Sequence, residues 1–263
     1  MYKVAIVAAL EREVSGLTKS CRRVEQHYEG RSFVFFERDD MVVVCGGIGL
    51  EAARRASEAV IELYRPTLLH SVGFAGALAP GLRVGDLFAP SAVIDARDGS
   101  RVQIEDGDRQ NSLVTFMVVA GVKQKTDLAQ AYGAKAVDME AAAVGAAARA
   151  HGIRFAATKV ISDESNFEIP AMARFIDPKG RFRTASFTVF VALRPWLWSR
   201  VATLASNSRK AAKILGEHLK HLRQELSQAS SHTSDKAQEK IAAPPHPIPQ
   251  PAATIPSRAG GRE

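Results

Sequence analysis

The sequence predicts an α/β domain with a largely buried mixed sheet at its centre. Apolar stretches of strand length alternate along the chain with longer stretches whose apolar residues recur at helical spacing. The first predicted strand, residues 2–9, is almost continuously apolar, which is typical of a strand covered on both faces. With 263 residues, 46% of them hydrophobic, the chain can form one large domain or two smaller ones around a sizeable core.

In the N-terminal half of the chain, predicted strands alternate with predicted helices. A helix is expected to start directly after the first strand, at LEREVSGL. Two apolar stretches on either side of Asp39-Asp40 predict a hairpin. Apolar residues at helical spacing then continue to Pro66, where the helix should stop because proline cannot extend it. The next strand ends in a turn of small residues, within LLHSVGFAGAL.

The C-terminal half predicts more strands, two short helices, a long helix and a tail. The strands are RVGDLFAPSAVIDA, SLVTFMVVAG, KAVDME and IRFAATKVISD. The short helices fall at residues 123–132 and 139–151, and residues 170–185 predict an irregular loop. A long amphipathic helix with a basic face is expected at residues 199–226. Residues 227–263 are polar and proline-rich, so we expect a disordered tail there.

Charge and cysteine content narrow the classes of partner. The net charge of +7 is compatible with nucleic acid, an anionic membrane surface, or solubility alone. The sequence has no zinc-type spacing, RNP-like aromatic motif or helix-turn-helix pattern, so we expect no nucleic acid partner. The two cysteines form neither a metal spacing nor a disulfide framework. The N-terminus does not read as a signal peptide, and we expect a cytoplasmic protein.

Acidic and glycine residues stand where several predicted strands end. These are Glu13, the glycine-rich residues 73–76, Asp138 with Glu140, and Asp163. Ligands of α/β sheets bind at the carboxyl ends of strands, which makes these positions candidates for a site. Each signal alone has a simpler explanation, since acids favour helix N-termini and glycines favour tight turns.

Five of these segments, taken in order, resemble the nucleoside phosphorylase and nucleosidase superfamily. The segments are AIVAALEREV, CGGIGLEAA, SVGFAGALAPGLRVGDL, AVDMEAAAV and KVISDES. The likeness is greatest to the methylthioadenosine/S-adenosylhomocysteine nucleosidase branch. It implies a three-layer nucleoside phosphorylase-like fold, with residues 1–226 as the catalytic domain and cleavage of a purine N-glycosidic bond as the activity.

A second likeness is narrower and lies in the C-terminal part of the chain. The strings GRFRT and LRPWLW are similar to those of the hopanoid-associated phosphorylases. That branch is taken to remove adenine from adenosylhopane. The alternatives are a methylthioadenosine/S-adenosylhomocysteine nucleosidase, a general purine nucleoside phosphorylase, and a non-catalytic nucleoside-binding protein.

The resemblance also implies roles for individual residues. Asp163, with Ser162 beside it, matches the general acid that protonates the leaving base. Such an acid must hold a proton near neutral pH, so we expect its surroundings to be apolar or acidic. Glu140 matches the acceptor for the ribose hydroxyls, Met139 the thioether against the sugar, and Glu13 the base that activates water.

The other substrate contacts implied by the resemblance are Asp138, Ser162, Ala75, Gly76, Phe74, Val122 and Phe167. Phe74 cannot donate a hydrogen bond to phosphate, although Lys159 or Arg12 could attract this anion. We therefore expect hydrolysis rather than phosphorolysis, with phosphate as the alternative co-substrate, no metal and no other cofactor. The connection between Val93 and Asp138 is shorter than that family's usual one, which should leave the 5′ side of the sugar open. Relatives lead us to expect a homo-oligomer.

Aromatic and basic residues are mixed in the segment 187–204, which includes Trp196 and Trp198. Such a mixture suits contact with a membrane surface, and equally suits packing on the domain or at a dimer interface. Both interpretations stay open from the sequence. A lipid-linked nucleoside would make the peripheral membrane contact necessary.

Overall fold

The structure is a computed structural model that describes residues 3–105, 107–169, 171–177 and 179–242. The strands of the described part are β1 Val4–Ala8, β2 Arg22–Tyr28, β3 Arg31–Arg38, β4 Met41–Cys45, β5 Leu68–Ala77, β6 Leu87–Phe88, β7 Pro90–Asp95, β8 Arg101–Gln103, β9 Asp108–Thr115, β10 Ala136–Asp138 and β11 Arg154–Asp163. The helices are α1 Glu11–Thr18, α2 Leu50–Tyr64, α3 Val122–Tyr132, α4 Ala141–Ala150, α5 Thr184–Ala192 and α6 Trp198–Ala242. Short 3₁₀ turns lie at Met172–Phe175 and Pro195–Leu197.

The sheet is mixed and is centred on β5, as the sequence predicts. Its order is β2-β3-β4-β1-β5-β10-β9-β7-β8, and β11 pairs with β5 and β6. β5 runs parallel to β1 and β11. The short β10 pairs with the C-terminal end of β5 in the antiparallel orientation. This register places Val137 and Asp163 opposite Gly76 on the two sides of β5. The ends of three strands therefore converge on one residue.

Apolar faces of the helices cover the sheet. One core cluster joins α2 and α4 to β1, β3 and β4, with Val42, Val60 and Val144 fully buried in it. The Ala-rich sequence of α4 lets it pack closely, because small side chains allow two backbones to approach. Burial of this apolar surface is the main favourable term in folding. The three-layer α/β prediction is confirmed.

α1 and α6 cross at a pair of glycines. A methyl group added to Gly16 would lie 3.1 Å from the Cα atom of Gly216. Next to this crossing, Ala211, Leu215 and Leu219 of α6 are buried. The apolar face of α6 therefore packs on the domain around this crossing, which lies beyond the segment 187–204.

The end of α6 differs from the sequence prediction. The chain divides into two compact units, residues 1–221 and 222–263. The helix continues to Ala242, so residues 227–242 are helical where the sequence predicted a disordered tail. No glycine or proline occurs between Gly216 and Pro244. Every other residue type can continue a helix at little cost, so the helix is not interrupted in residues 217–242. The remaining tail, residues 243–263, lies outside the described residues, so its disorder and the domain boundary at 226 stay predictions.

β2 was not predicted at all. Its sequence, RRVEQHY, has one β-branched residue among polar ones, and its side chains are largely exposed. It is an edge strand that pairs only with β3 in the described sheet. Charged side chains are common on such edges because they discourage pairing with other chains. No helix of the described residues is both long enough and apolar enough to cross a membrane.

Candidate active site

A cavity of about 180 Å³ lies where β5, β10 and β11 end. Ten of the predicted site residues line it. They are Glu13, Phe74, Ala75, Gly76, Asp138, Met139, Glu140, Ser162, Asp163 and Phe167. The structure therefore brings together residues that are up to 154 positions apart, the separation of Glu13 and Phe167 (167 − 13).

Val122 is the predicted contact that the structure places elsewhere. It is the first residue of α3, and its backbone N–H donates to Glu168 Oε2 at 2.9 Å. The preceding residues Val118, Val119 and Ala120 line the cavity instead. Since α3 starts at Val122, the loop before that residue forms the cavity wall, and Val122 itself is not part of it.

Asp163 stands at the end of β11, and both of its carboxylate oxygens have a donor. Ser162 Oγ donates to Oδ1 at 2.7 Å, and Lys125 Nζ donates to Oδ2 at 2.5 Å. The expectation of apolar or acidic surroundings for Asp163 was therefore wrong. An ammonium group from α3 is its nearest charged neighbour, and this group has a side-chain exposure of only 2%.

Gly76 provides the space that the Asp163 carboxylate occupies. A methyl group at residue 76 would lie 2.9 Å from Asp163 Oδ2 and 3.3 Å from Lys125 Cε. The resemblance implied that Gly76 touches substrate, and the geometry adds a reason that concerns the acid. Both oxygens of Asp163 keep their positions because β5 has no side chain at this point.

Gly76→Ala should therefore displace the Asp163 carboxylate and lower kcat for adenine release by about 10²-fold, since misplacement by about 1 Å is sufficient for such a loss. Gly81→Ala is the matched control, because a methyl group there has open space around it. Steady-state kinetics and thermal melting of both variants check this. Equal kcat values in the two variants would contradict the prediction.

Asp138 is fully engaged by the protein. Its Oδ1 accepts from Thr115 Oγ1 at 2.6 Å, and its Oδ2 accepts from the backbone N–H of Ala141 at 2.9 Å. Lys159 Nζ lies 2.9 Å from the same Oδ2, and both members of this ion pair have at most 1% exposure. Although Asp138 borders the cavity, its carboxylate fixes the start of α4 and the Lys159 ammonium. We propose this positioning role in place of a substrate contact.

Lys159 is a buried cation next to the acids of the site. Besides Asp138 it contacts Ser71, with Nζ donating to Oγ at 3.1 Å. The charge of Lys159 also lowers the pKa values of Glu13 and Glu140. Burial lowers the pKa of Lys159 itself, but the charges of Asp138 and Glu140 raise it. The ammonium therefore stays charged among three acids. A buried ion pair of this kind is costly to break, because removing one partner leaves the other charge uncompensated.

Glu140 stands between β10 and α4 and faces the cavity. Gly49 donates its backbone N–H to Oε1 at 2.8 Å, and Met139 N lies 3.3 Å from Oε2. Gly49 has a φ of +98°, a conformation that favours glycine, and this turn directs its N–H at the acid. Burial, and then the charge of Asp138, raise the pKa of Glu140 to about 8. The acid keeps capacity for further hydrogen bonds beside Met139.

Glu13 projects from α1 over the end of β5. A methyl group at Gly73 would lie 3.0 Å from Glu13 Oε2, so the glycine permits this close approach. Leu10 N donates to the same oxygen at 3.4 Å, and the residue is 5% exposed. Burial raises the pKa of Glu13 to about 7, an effect that Lys159 partly offsets. A carboxyl group with this pKa can accept a proton near neutral pH.

One side of the cavity opens into a larger groove between α1, α5 and α6, with a volume of about 680 Å³. The residues that line both spaces are Arg12, Phe74, Met172, Phe182, Leu204 and Ser208. The rest of the groove wall combines apolar side chains, Phe187 and Val201 among them, with the charged residues Lys19, Arg209, Lys213, Glu217 and Lys220. We call this space the α6 groove.

Known proteins share this fold and parts of this sequence. The family profile described as the phosphorylase superfamily matches residues 3–118 and 114–190. The chain belongs to the phosphorylase superfamily. The five segments that predicted this membership all lie within the matched ranges, and they supply about half of the residues that line the cavity between β5, β10 and β11.

Solved structures place this superfamily member beside several nucleosidases. A mutant of Helicobacter pylori MTAN with 5′-methylthioadenosine in its active site has a TM-score of 0.63 at 15% identity, covering 86% of this chain and 99% of that one. The futalosine hydrolase of the same organism gives 0.62 at 16%, covering 85% and 98%. At these identities the likeness shows the fold.

Curated relatives are similar over a shorter stretch. The 5′-methylthioadenosine/S-adenosylhomocysteine nucleosidase of Haemophilus influenzae is 35% identical over 89 residues, which is 32% of this chain and 38% of that protein. The same enzyme of Anoxybacillus flavithermus is 32% identical over 94 residues, which is 35% of this chain and 40% of that protein. The chain thus spans about two fifths of the length of the curated relatives it matches.

Sequence reasoning missed part of the cavity wall. Lys125 was not singled out, because a lysine in a short polar helix reads as solvent-exposed. The missed apolar wall comprises Ile48, Val118, Val119, Ile169, Met172, Phe182 and Leu204. Ile169, Met172, Phe182 and Leu204 give no sequence signal, since only the tertiary path of the chain after β11 and of α6 brings them to the cavity. Ile48 follows β4, and Val118 and Val119 follow β9. Within the described residues, no group of three or more His, Cys, Asp or Glu could hold a metal ion.

Proposed function

We propose that the protein cleaves the N-glycosidic bond of an adenine nucleoside by hydrolysis. The convergence of Glu13, Glu140 and Asp163 on one cavity carries the proposal. They supply a proton acceptor, an acceptor for hydroxyl groups and a proton donor to a space that can hold a sugar and part of the purine. Membership of the superfamily and the nucleosidase names of the relatives support it.

The reaction separates a purine from a ribosyl group that becomes oxocarbenium-like. The electron pair of the bond between C1′ and the base leaves with the base, and Asp163 gives it a proton. Glu140 accepts hydrogen bonds from the ribose hydroxyls, while Met139 packs against the sugar as an adaptable thioether. Water adds to C1′ and passes a proton to Glu13. Each charge that develops then has an opposite partner in the cavity.

Two observations favour water over phosphate as the nucleophile. Lys159, a cation that could have attracted phosphate, is buried and already pairs with Asp138. Phe74 occupies the cavity wall with a side chain that has no hydrogen-bond donor. Arg12 is exposed and lines the same space, so phosphate is the alternative nucleophile to test.

For the substrate, we propose an adenosine with a bulky apolar 5′ substituent, namely adenosylhopane. The α6 groove supports this choice, because it continues directly from the catalytic cavity and has nearly four times its volume, 680 against 180 Å³. The likeness of residues 180–198 to hopanoid-associated phosphorylases supports the same substrate. Methylthioadenosine and S-adenosylhomocysteine are the alternatives, since the curated relatives carry those names.

The deciding experiment incubates the purified protein with adenosylhopane, methylthioadenosine, S-adenosylhomocysteine and adenosine, with and without phosphate. Adenine and the sugar product are then quantified. Adenine release without phosphate, fastest with adenosylhopane, is the expected result. Strict phosphate dependence with a sugar 1-phosphate product would replace hydrolysis by phosphorolysis. Binding without any release of adenine would identify a nucleoside-binding protein.

We further propose that the protein meets a membrane through an exposed apolar patch formed by Val189, Leu193, Trp196 and Trp198. These side chains are 55–71% exposed. Arg194 lies in the patch, with its guanidinium 3.9 Å from the Phe190 ring centroid. No acidic residue occurs in the sequence between Asp177 and Glu217, a stretch with eight Lys and Arg residues (179, 181, 183, 194, 200, 209, 210 and 213). Apolar side chains beside cations suit an anionic lipid surface.

The double variant Trp196→Ala, Trp198→Ala should bind liposomes with anionic lipid at least about tenfold more weakly than the parent, since buried aromatic area drives interfacial binding. Co-sedimentation measures it. Leu63→Ala, Leu87→Ala is the control, because these exposed apolar side chains lie outside the patch. Unchanged binding of the Trp variant would count against the membrane contact.

A further inference from the structure

We propose that Lys125 acts through Asp163: its ammonium orients the carboxylate and supplies the proton that Asp163 passes to the leaving base. This inference rests on the proposed function. Lys125 is 2% exposed, although it stands in the first turn of α3. Its three N–H donors are all used, by Asp163 Oδ2 at 2.5 Å, Glu164 O at 2.6 Å and Phe167 O at 3.0 Å.

The contacts of Lys125 fix the acid in one orientation. Ser162 holds Oδ1 of Asp163 from one side and Lys125 holds Oδ2 from the other. The same ammonium ties down the backbone that follows β11, including Phe167 of the cavity wall. A buried ammonium is costly unless every donor is satisfied, and here all three are. Lys125 is therefore a positioning residue by its geometry.

The proton balance gives Lys125 its second task. A carboxylate in contact with an ammonium carries no proton of its own, yet the leaving purine needs one. The pair holds that proton on Lys125 Nζ. As the bond from C1′ to the base breaks, its electron pair goes to the base, Lys125 gives its proton to the Asp163 carboxylate, and Asp163 passes a proton to the base. The pair is left as a carboxylate and a neutral amine, which regains its proton from water after the products leave.

The test compares two ribosides that differ in their leaving group, adenosine and 4-nitrophenyl β-D-ribofuranoside. Nitrophenolate leaves without being protonated, whereas adenine has to be protonated in order to leave. Lys125→Met should lower kcat for adenosine by about 10²-fold or more, and for the nitrophenyl riboside by less than about tenfold. Lys123→Met is the matched control on the same helix, since that side chain is 87% exposed and pairs with Asp127. It should cleave both ribosides like the parent.

Equal losses for both ribosides in Lys125→Met would overturn the proposal, because a purely structural lysine affects both reactions alike. Lys125→Arg provides a second reading if the Met variant does not fold. Arginine keeps the charge and the donors and does not release a proton, so it should show the same selective loss. Full activity of Lys125→Arg on adenosine would show that residue 125 does not supply the proton. Failure of the parent to cleave either riboside or any of the nucleosides tested above would instead reject the proposed function.

Discussion

Asp163→Asn is expected to reduce adenine release by about 10²- to 10⁴-fold, the usual contribution of a general acid. The amide can keep the hydrogen bond from Ser162, which is 2.7 Å long in the parent, but it has no proton to give to the base. Substrate binding should change less than turnover, because the acid acts as the bond breaks. Pre-steady-state and steady-state measurements of kcat and KM check this separation.

The control for this variant is Asp127→Asn, an exposed acid on α3 with 57% side-chain exposure. It should leave kcat within about twofold of the parent value, as surface substitutions usually have small effects. The nitrophenyl riboside gives a further check. If Asp163→Asn lost activity equally on both leaving groups, Asp163 would not be the acid, whatever Lys125 does.

Glu13→Gln is expected to remove hydrolysis by a similar factor and to change its pH dependence. Since burial raises the pKa of Glu13 to about 7, the parent's kcat/KM should rise as pH increases through that value, because only the ionised form accepts a proton from water. In Glu13→Gln this rise should disappear from the residual activity. Glu140 also lines this cavity, and burial and the charge of Asp138 raise its pKa to about 8, so the comparison with the variant decides which acid causes the rise.

A rise in kcat/KM that persists in Glu13→Gln would assign the titration to another group, with Glu140 the first candidate. Glu11→Gln is a suitable control. It lies in the same helix, exposed, and is absent from the described cavity wall. Its profile should match that of the parent.

The same substitution should stabilise the fold at alkaline pH. The pKa of Glu13 is raised from 4.5 in the unfolded chain to about 7 in the folded one, so the folded state binds more protons between these values. Its contribution is present below pH 4.5 and is lost as pH rises through 7. Glu13→Gln should therefore raise the free energy of unfolding at pH 8 by on the order of 3 kcal/mol, and by much less near pH 5. Urea unfolding at both pH values measures it.

The part of the site that lies at strand ends could be predicted, and the part formed by tertiary packing could not. Glu13, Glu140 and Asp163 each follow or precede a strongly apolar stretch, so their place at the edge of the sheet is encoded locally. Lys125 gives no such signal. Its burial depends on the Asp163 carboxylate and two carbonyl groups that lie 39 and 42 positions further along the chain.

The helix that ends at Ala242 shows a second limit of local reasoning. Residues 227–242 have no apolar period, and the absence of a hydrophobic stripe predicted disorder. Helix propensity without a glycine or proline was the competing signal, and it prevailed in the structure. The edge strand β2 was missed for a related reason: an exposed strand does not need a pattern of apolar residues in its sequence.

The contact between Gly16 and Gly216 sets a limit on how the α6 groove can change. α1 carries Glu13 on one turn and Gly16 on the next, so the same short helix presents the base to the cavity and meets α6. With no side chains between the two backbones, no layer of adjustable packing separates the groove from the base. A shift of α6 that widens the groove for a larger 5′ group would therefore be transmitted to Glu13. Selectivity and water activation should vary together when α6 is altered near residue 216, whereas changes at Phe187, away from this crossing, should alter selectivity alone.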